Sequence, residues 1–308
     1  MKKLKILFIT KDFSKHLVKD SYYFSTELSK IADLVLWNTP GNIHTILKQI
    51  HMKPDFILLN DLRPTRCPTI TGLSQLTIPY GIIMHDLHYR PNQRKIFVRN
   101  NKVKYIFSIY RDEFYRRFPN FKNRMHWLPH FVNTDIFKDY GLSKDIDYLL
   151  MGAITNHYPL RKKMLSVMQK EPGFVYHEHP GYRNILDSKE FAGETFAKEI
   201  NRSKIFLTDG LIYKYPVMKY YEVLACNTLL LAPPSKELQD LGFIPGVHYI
   251  SVNKNDFLQK ARYYLKHEKE RKQIAENGYK MVRSKHSAEH RAQQFVRMIE
   301  NILKSERN

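Results

Sequence analysis

A chain of 308 residues that is 43% hydrophobic, 26% charged and 13% aromatic carries enough apolar material for packed cores, which argues against disorder. Lys+Arg at 50 against Asp+Glu at 30 leave a net charge of +20; 24 of the basic and 12 of the acidic residues fall in 1–145, so the excess is denser there and favours anionic partners such as phosphates, an acidic membrane or an anionic polymer. Two cysteines, Cys67 and Cys226, exclude a disulfide framework and a cysteine metal cluster and point to a reducing cytoplasm; no apolar run reaches the roughly 18–20 residues of a membrane span, and the leader-like start is interrupted by Lys5 and lacks a small-residue cleavage site.

The first half alternates short apolar runs with helical periodicity. Lys5–Thr10 reads as a buried strand, Ser21–Ile31 as a helix with Phe24, Leu28 and Ile31 on one face, Asp33–Trp37 as a strand and Ile43–Ile50 as a short helix. Strands follow at Asp55–Asn60, Tyr80–Met84 and Lys104–Ile109, with a short helix at Arg111–Phe118. Uninterrupted apolar runs of this length between helices imply a parallel sheet covered on both faces, that is, a doubly wound α/β domain. The pattern then restarts: a strand in Lys144–Gly152, a helix at Arg161–Gln169, strands at Phe174–His177, Lys204–Thr208, Thr228–Ala232 and Tyr249–Val252, and helices at Phe196–Asn201 and Pro216–Cys226. A helical tail begins at Asp256, and its last helix aligns Phe295, Ile299, Ile302 and Leu303. The boundary is expected near Lys138–Lys144, where Gly141 sits among polar residues, giving domains 1–141 and 142–308 with the last helix free to cross back to the first domain. No G-x-G-x-x-G follows the first strand, where the residues are Thr10-Lys11-Asp12-Phe13, so a standard dinucleotide site is not expected.

The most specific segment is Tyr215–Glu237. Lys219-Tyr220-Tyr221-Glu222 is followed by Leu224-Ala225-Cys226-Asn227 and the apolar Thr228–Ala232. Further markers are Gly152 with Tyr158-Pro159-x-Arg161, Pro245-Gly246, Arg271–Gly278, His286 and His290-Arg291. In that order they resemble the "glycosyl transferases group 1" signature in its CgeB-like, spore-protein-like branch, specifically over residues 145–300 and weakly over 1–144. The resemblance implies the GT-B fold: two Rossmann-like doubly wound domains facing across a cleft, with a helical C-terminal tail. It implies a cytoplasmic hexosyltransferase-type enzyme, either free or peripheral to the inner face of the membrane. Such an enzyme serves a cell-envelope or spore polysaccharide and moves a sugar from a nucleotide-diphosphate sugar without a metal or other cofactor. The acceptor, of unknown identity, would be anionic or lipid-linked.

Site expectations follow. Lys219 and Glu222, three apart on one helix face, suit a phosphate and ribose hydroxyls respectively, beside Tyr215 and Tyr220, and Pro216 suits the first turn of that helix. Gly152 and Arg161 are implied donor contacts, as are His179, Pro180 and Gly181 on the loop after a strand. Lys214 stands where the wider family carries a glutamate, and is expected to bind phosphate; Asn227 replaces a family glycine, a change Asn tolerates because it can adopt the left-handed conformation. His177 and His179 alternate on an extended segment and could ligate a metal together, yet no third and fourth ligand accompany them, so no metal is expected. Asp145-Ile146-Asp147 spells a D-x-D but enters a strand, where a solvating role is expected. In the first domain His85, after the fourth strand, is the candidate base for an acceptor hydroxyl, with Asp86 orienting it; Lys11, Lys19, Ser21 and Tyr22 are candidate acceptor contacts. Competing readings are a non-catalytic nucleotide-sugar-binding or assembly protein, a nucleotide-sugar epimerase on the same fold and, from the charge of the first half, a transferase that modifies a polyanion such as nucleic acid or an anionic cell-wall polymer.

Overall fold

The computed structural model describes residues 3–185 and 190–306. The chain divides into two compact units. The first comprises residues up to Ser14, Lys19–Pro129 and the stretch from Ala288 on; the second comprises Lys15–Val18 and His130–Ser287.

The first unit runs β1 (Lys5–Ile9), α1 (Asp20–Ile31), β2 (Asp33–Trp37), β3 (Gly41–Asn42), α2 (Ile43–Gln49), β4 (Phe56–Asn60), β5 (Ile70–Thr71), β6 (Tyr80–Met84), α3 (Pro91–Asn100), β7 (Tyr105–Ser108), α4 (Arg111–Arg117), a 3₁₀ segment Pro119–Arg124 and β8 (Met125–Trp127). Its six-stranded sheet has the order β2-β1-β4-β6-β7-β8, with every neighbouring pair parallel. Ile6, Leu7, Phe8 and Ile9 are all fully buried, as a strand covered on both faces requires. Gly81 is obligatory in β6: a Cβ there would lie 2.8 Å from the Phe107 ring and from the Tyr105 carbonyl. β3, β5, α3, the 3₁₀ segment and β8 have no counterpart in the sequence expectations. β8 continues the sheet with only three residues. α3 buries Arg94 beside Val98.

Arg94 belongs to an enclosed ion pair that fixes the carboxyl end of β4. Its guanidinium meets Asp61 at 2.6 Å (Nη1 to Oδ1) and 3.0 Å (Nη2 to Oδ2), and its Nε donates to the Tyr89 carbonyl. Asp61 is fully buried and left-handed (φ 73°), and its Oδ1 accepts from the Leu62 N–H at 2.6 Å.

The second unit runs β9 (Ile146–Met151), α5 (Pro159–Met168), β10 (Phe174–His177), α6 (Gly193–Asn201), β11 (Ser203–Leu207), α7 (Met218–Ala225), β12 (Leu229–Ala232), α8 (Lys236–Asp240), β13 (Ile250–Ser251), α9 (Phe257–Lys266) and α10 (Glu268–Lys285). The sheet order is β10-β9-β11-β12-β13, again parallel throughout. Its core includes Leu150, Met164, Ile205, Leu229, Leu231 and Ala275. Asn227 follows α7 with φ 52°, the left-handed turn expected of it. Lys144 ties the segment before β9 to this unit: its ammonium donates to the Asn201 and Ser203 carbonyls and to Thr228 Oγ1 at 2.9–3.0 Å, and burial pushes its pKa down to about 8. The carboxylates of the D-x-D are taken up by cations, Asp145 by Arg202 and Asp147 by Lys204.

α11 (Ala288–Ser305) belongs to the first unit. Its Phe295 ring lies 5.4 Å from Phe24 and 5.0 Å from Phe107, edge to face. Ile299 and Ile302 are buried on the same side, while Leu303 is half-buried.

Candidate functional site

Ligands of open parallel sheets bind outside the carboxyl ends of the strands. Each unit gathers polar side chains there.

In the second unit the centre is Arg161, on the first turn of α5. β9 ends at Met151, and Gly152 (φ 143°) turns the chain; a Cβ on Gly152 would lie 2.9 Å from Arg161 Nη1. The guanidinium lies 3.8 Å from the Tyr158 ring centroid, donates from Nη1 to the Ala153 carbonyl (2.9 Å) and from Nη2 to Thr208 Oγ1 (3.3 Å), and is 4% exposed. Its Nε has no hydrogen-bond partner among the described residues. Burial pushes the Arg161 pKa below the ordinary arginine value.

Asp209, which the sequence reading missed, follows β11 and caps α5: its Oδ2 accepts from the Leu160 and Arg161 N–H groups at 3.0 and 3.3 Å. Burial raises its pKa, opposed by those N–H groups and by the charge of Arg161. The available signal was Asp209-Gly210 directly after an apolar strand, where a short acceptor meets a neighbouring helix start.

The chain then makes a tight loop in which Leu211 (φ 61°) and Lys214 (φ 56°) are left-handed and the Tyr215 N–H donates to the Gly210 carbonyl. Lys214 is exposed at the tip of this loop. α7 begins at Met218, so Pro216 precedes the helix instead of opening it. Lys219 and Glu222 do share a face, with Nζ 3.5 Å from Oε2; the ammonium also lies 4.1 Å from the Phe196 ring centroid. Burial lowers the Lys219 pKa and Arg161 adds to the shift, while Glu222 counters it. Tyr215 and Tyr220 are each 1% exposed, and the Tyr220 hydroxyl donates to the Pro233 carbonyl.

On the loop after β10, His179 and Gly181 form a local turn, the Gly181 N–H donating to His179 Nδ1 at 3.0 Å. Pro180 lies between them and is half-buried. The ring of His179 lies 4.6 Å from that of Tyr182. His177 turns away from them to Glu199 at 2.8 Å. Among the described residues no group of three or more His, Cys, Asp or Glu is placed to hold a metal ion.

Burial, Lys219 and Arg161 push the His179 pKa down to about 4. The folded protein therefore binds fewer protons than the unfolded chain between pH 4 and 6.5, and His179 contributes a loss of stability as pH falls through that window. An NMR titration of the His179 ring is expected to show a midpoint near 4; a midpoint near 6.5 would contradict the grouping of the three side chains.

In the first unit the cluster sits at the ends of β1, β4 and β6. His85 Nε2 lies 3.0 Å from Asn60 Oδ1, and Asn60 Nδ2 donates to Thr10 Oγ1 and Ser21 Oγ at 2.8 Å each. Nε2 also lies 3.5 Å from Arg66 Nη1, and Nδ1 lies 3.9 Å from Asp20 Oδ2. Arg66 pairs with Asp20 at 3.1 Å; burial acts to lower its pKa but is outweighed by Asp20, Asp61 and Asp86, which raise it. The orienting role expected of Asp86 is not what the geometry shows: Asp86 pairs with Arg63 at 2.8 Å, and Asn60 and Asp20 flank the His85 ring. Of the other candidate contacts, Ser21 joins this cluster and Tyr22 is exposed.

Residues 147–297 match the family model described as glycosyl transferase-like. No curated protein sequence matches the chain. Among solved structures, the chain is similar to a glycosyltransferase from Rickettsia africae (12% identity, 99% of this chain, 100% of that one, TM-score 0.67). It is similar also to HepE of Anabaena in complex with UDP-glucose (10%, 98% and 100%, 0.63) and to MnaA of S. aureus with UDP (14%, 99% and 97%, 0.54). At these identities the likeness shows the fold, which is GT-B.

Proposed function

We propose, from the match of residues 147–297 to the glycosyl transferase-like family model, that the chain transfers a sugar from a nucleotide-diphosphate sugar to an acceptor hydroxyl. The observation that carries this reading is the buried Arg161 guanidinium, its Nε without a partner, grouped electrostatically with Lys219 and His179 at the carboxyl ends of the second unit's strands. A desolvated guanidinium and ammonium are suited to a diphosphate leaving group, whose developing charge they neutralise without a metal. Glu222, 6% exposed and within reach of Lys219, would accept from ribose hydroxyls. Uridine is the first base to test, because HepE and MnaA are solved with UDP or UDP-glucose. In the first unit His85 is assigned the base that takes the acceptor proton. The basic first unit suits an anionic or lipid-linked acceptor at an acidic surface, as in cell-envelope or spore polysaccharide synthesis on the cytoplasmic side.

The test is calorimetric titration with UDP, GDP and ADP and their sugars. One nucleotide is expected to bind, and Lys219→Ala and Glu222→Ala each to weaken it by about tenfold to a hundredfold, the range for losing a charge-assisted hydrogen bond. No binding at millimolar concentration would sink the proposal. Lys214, exposed on a left-handed tip where the wider family carries a carboxylate, favours a second reading, nucleotide-sugar binding without turnover. Release of free nucleotide from the bound donor separates the two.

A further inference from the structure

Residues 90–124 hold eleven lysines and arginines against two acids, a net nine of the chain's twenty positive charges. The fold gathers them. Lys95 on α3 lies over the Phe118 ring, Arg99 on α3 and Arg124 both lie over Phe121, and Lys122 lies over Tyr115 of α4, each with the cation 5.3–5.9 Å from the ring centroid. α3, α4 and Pro119–Arg124 therefore present one continuous surface. Of the two acids, Glu113 is held by Arg116 and Arg117 and Asp112 by Arg111. Arg90, Lys95, Arg99, Lys102, Lys122 and Arg124 have no ion-pair partner among the described residues.

Two apolar side chains stand out among these cations. Ile96 is 54% exposed and Tyr115 37%. On α3 the solvent-facing row is Asn92, Ile96, Arg99 and Asn100, opposite the buried Arg94 and Val98, so the isoleucine and the arginine point outward together. By contrast, the arginines at the ends of β4 and β6 are paired: Arg66 with Asp20, Arg63 with Asp86 and Arg94 with Asp61.

We propose that the face formed by α3, α4 and Pro119–Arg124 docks on an anionic lipid membrane. Six cations without an ion-pair partner among the described residues match anionic headgroups. An outward isoleucine and tyrosine gain from a headgroup–acyl boundary and gain nothing from the phosphates of a soluble polymer, which is the reason for choosing a bilayer over a nucleic acid or polysaccharide. This proposal is independent of the donor site, since a chain that bound no nucleotide would still dock.

The test is flotation of the full chain with vesicles of phosphatidylcholine alone, and of phosphatidylcholine with roughly a third phosphatidylglycerol. Binding is expected to the anionic vesicles only, and to weaken as salt is raised. Lys95→Glu/Arg99→Glu/Lys122→Glu is expected to lower partitioning by more than about a hundredfold, at about fivefold or more per charge. Ile96→Ser should weaken vesicle binding several-fold and leave retention on heparin unchanged. A control reversal in the second unit at the exposed Lys254, Lys266 and Lys269 should have a far smaller effect. The proposal is overturned if the chain does not float, floats equally on neutral vesicles, or binds heparin while ignoring vesicles. It is overturned equally if the first triple variant floats like wild type or the control loses as much.

Discussion

Replacing His85 by alanine is expected to lower kcat for sugar transfer by about 10²–10⁴-fold, the usual contribution of a positioned general base, with nucleotide affinity essentially unchanged. The expectation rests on the polar setting of the ring: Asn60, oriented by the Thr10 and Ser21 hydroxyls, holds His85 Nε2, and Asp20, 3.9 Å from Nδ1, would stabilise an imidazolium formed when the acceptor hydroxyl gives up its proton. The measurements are steady-state rates with donor and acceptor, nucleotide binding to the same variant, and the anomeric configuration of the product. An inverted product with kcat lost and binding intact supports the assignment. A retained configuration, or a rise in KM with kcat preserved, would make His85 a sugar contact, because retaining transfer does not require a base on the acceptor face.

Arg94→Leu is expected to destabilise the protein by about 3–5 kcal/mol, because it leaves a buried carboxylate without its counter-charge. Asp61 is fully enclosed, and Arg94 is the cation that meets both of its oxygens. At roughly 2–4 °C per kcal/mol for a unit of this size, the melting temperature should fall by roughly 6–20 °C. The informative comparison is Asp61→Asn/Arg94→Leu, which removes both charges and should recover most of the loss. Thermal melts of wild type, single and double variants give the answer. A single variant within about 1 kcal/mol of wild type would show that water reaches Asp61 in place of the arginine. Asp61 follows Asn60 directly, so the single variant should also slow catalysis by loosening the support of His85.

The strands were legible because both faces of each sheet are covered: KILFI, FILLN and YGIIM are apolar without alternation, a pattern few other local structures produce. The Lys219–Glu222 face was legible because helical spacing alone brings such residues together. α3 was not, since its sequence PNQRKIFVRN is mostly polar and its inward residue is an arginine whose partner lies 33 positions earlier. The surroundings of His85 were hidden for the same reason: Asp20 and Asn60 reach it across 65 and 25 residues, and nothing local marks them. Asp86 was the adjacent carboxylate, yet consecutive side chains of an extended segment point to opposite sides, and the fold gives it to Arg63.

The placement of α11 has a consequence for synthesis. The last stretch of the first unit, from Ala288 on, is separated from the rest of it by the whole of His130–Ser287, so its sheet emerges from the ribosome long before the helix that packs on Phe24 and Phe107. At about 5–20 residues per second, the interval between Pro129 and Ala288 lasts roughly 8–30 s. For that time the nascent chain carries an aromatic face with no cover, a natural substrate for a ribosome-associated chaperone, while the second unit, contiguous but for four residues, can complete itself first. Folding in the cell would then complete the second unit before the first, although most of the first is translated earlier.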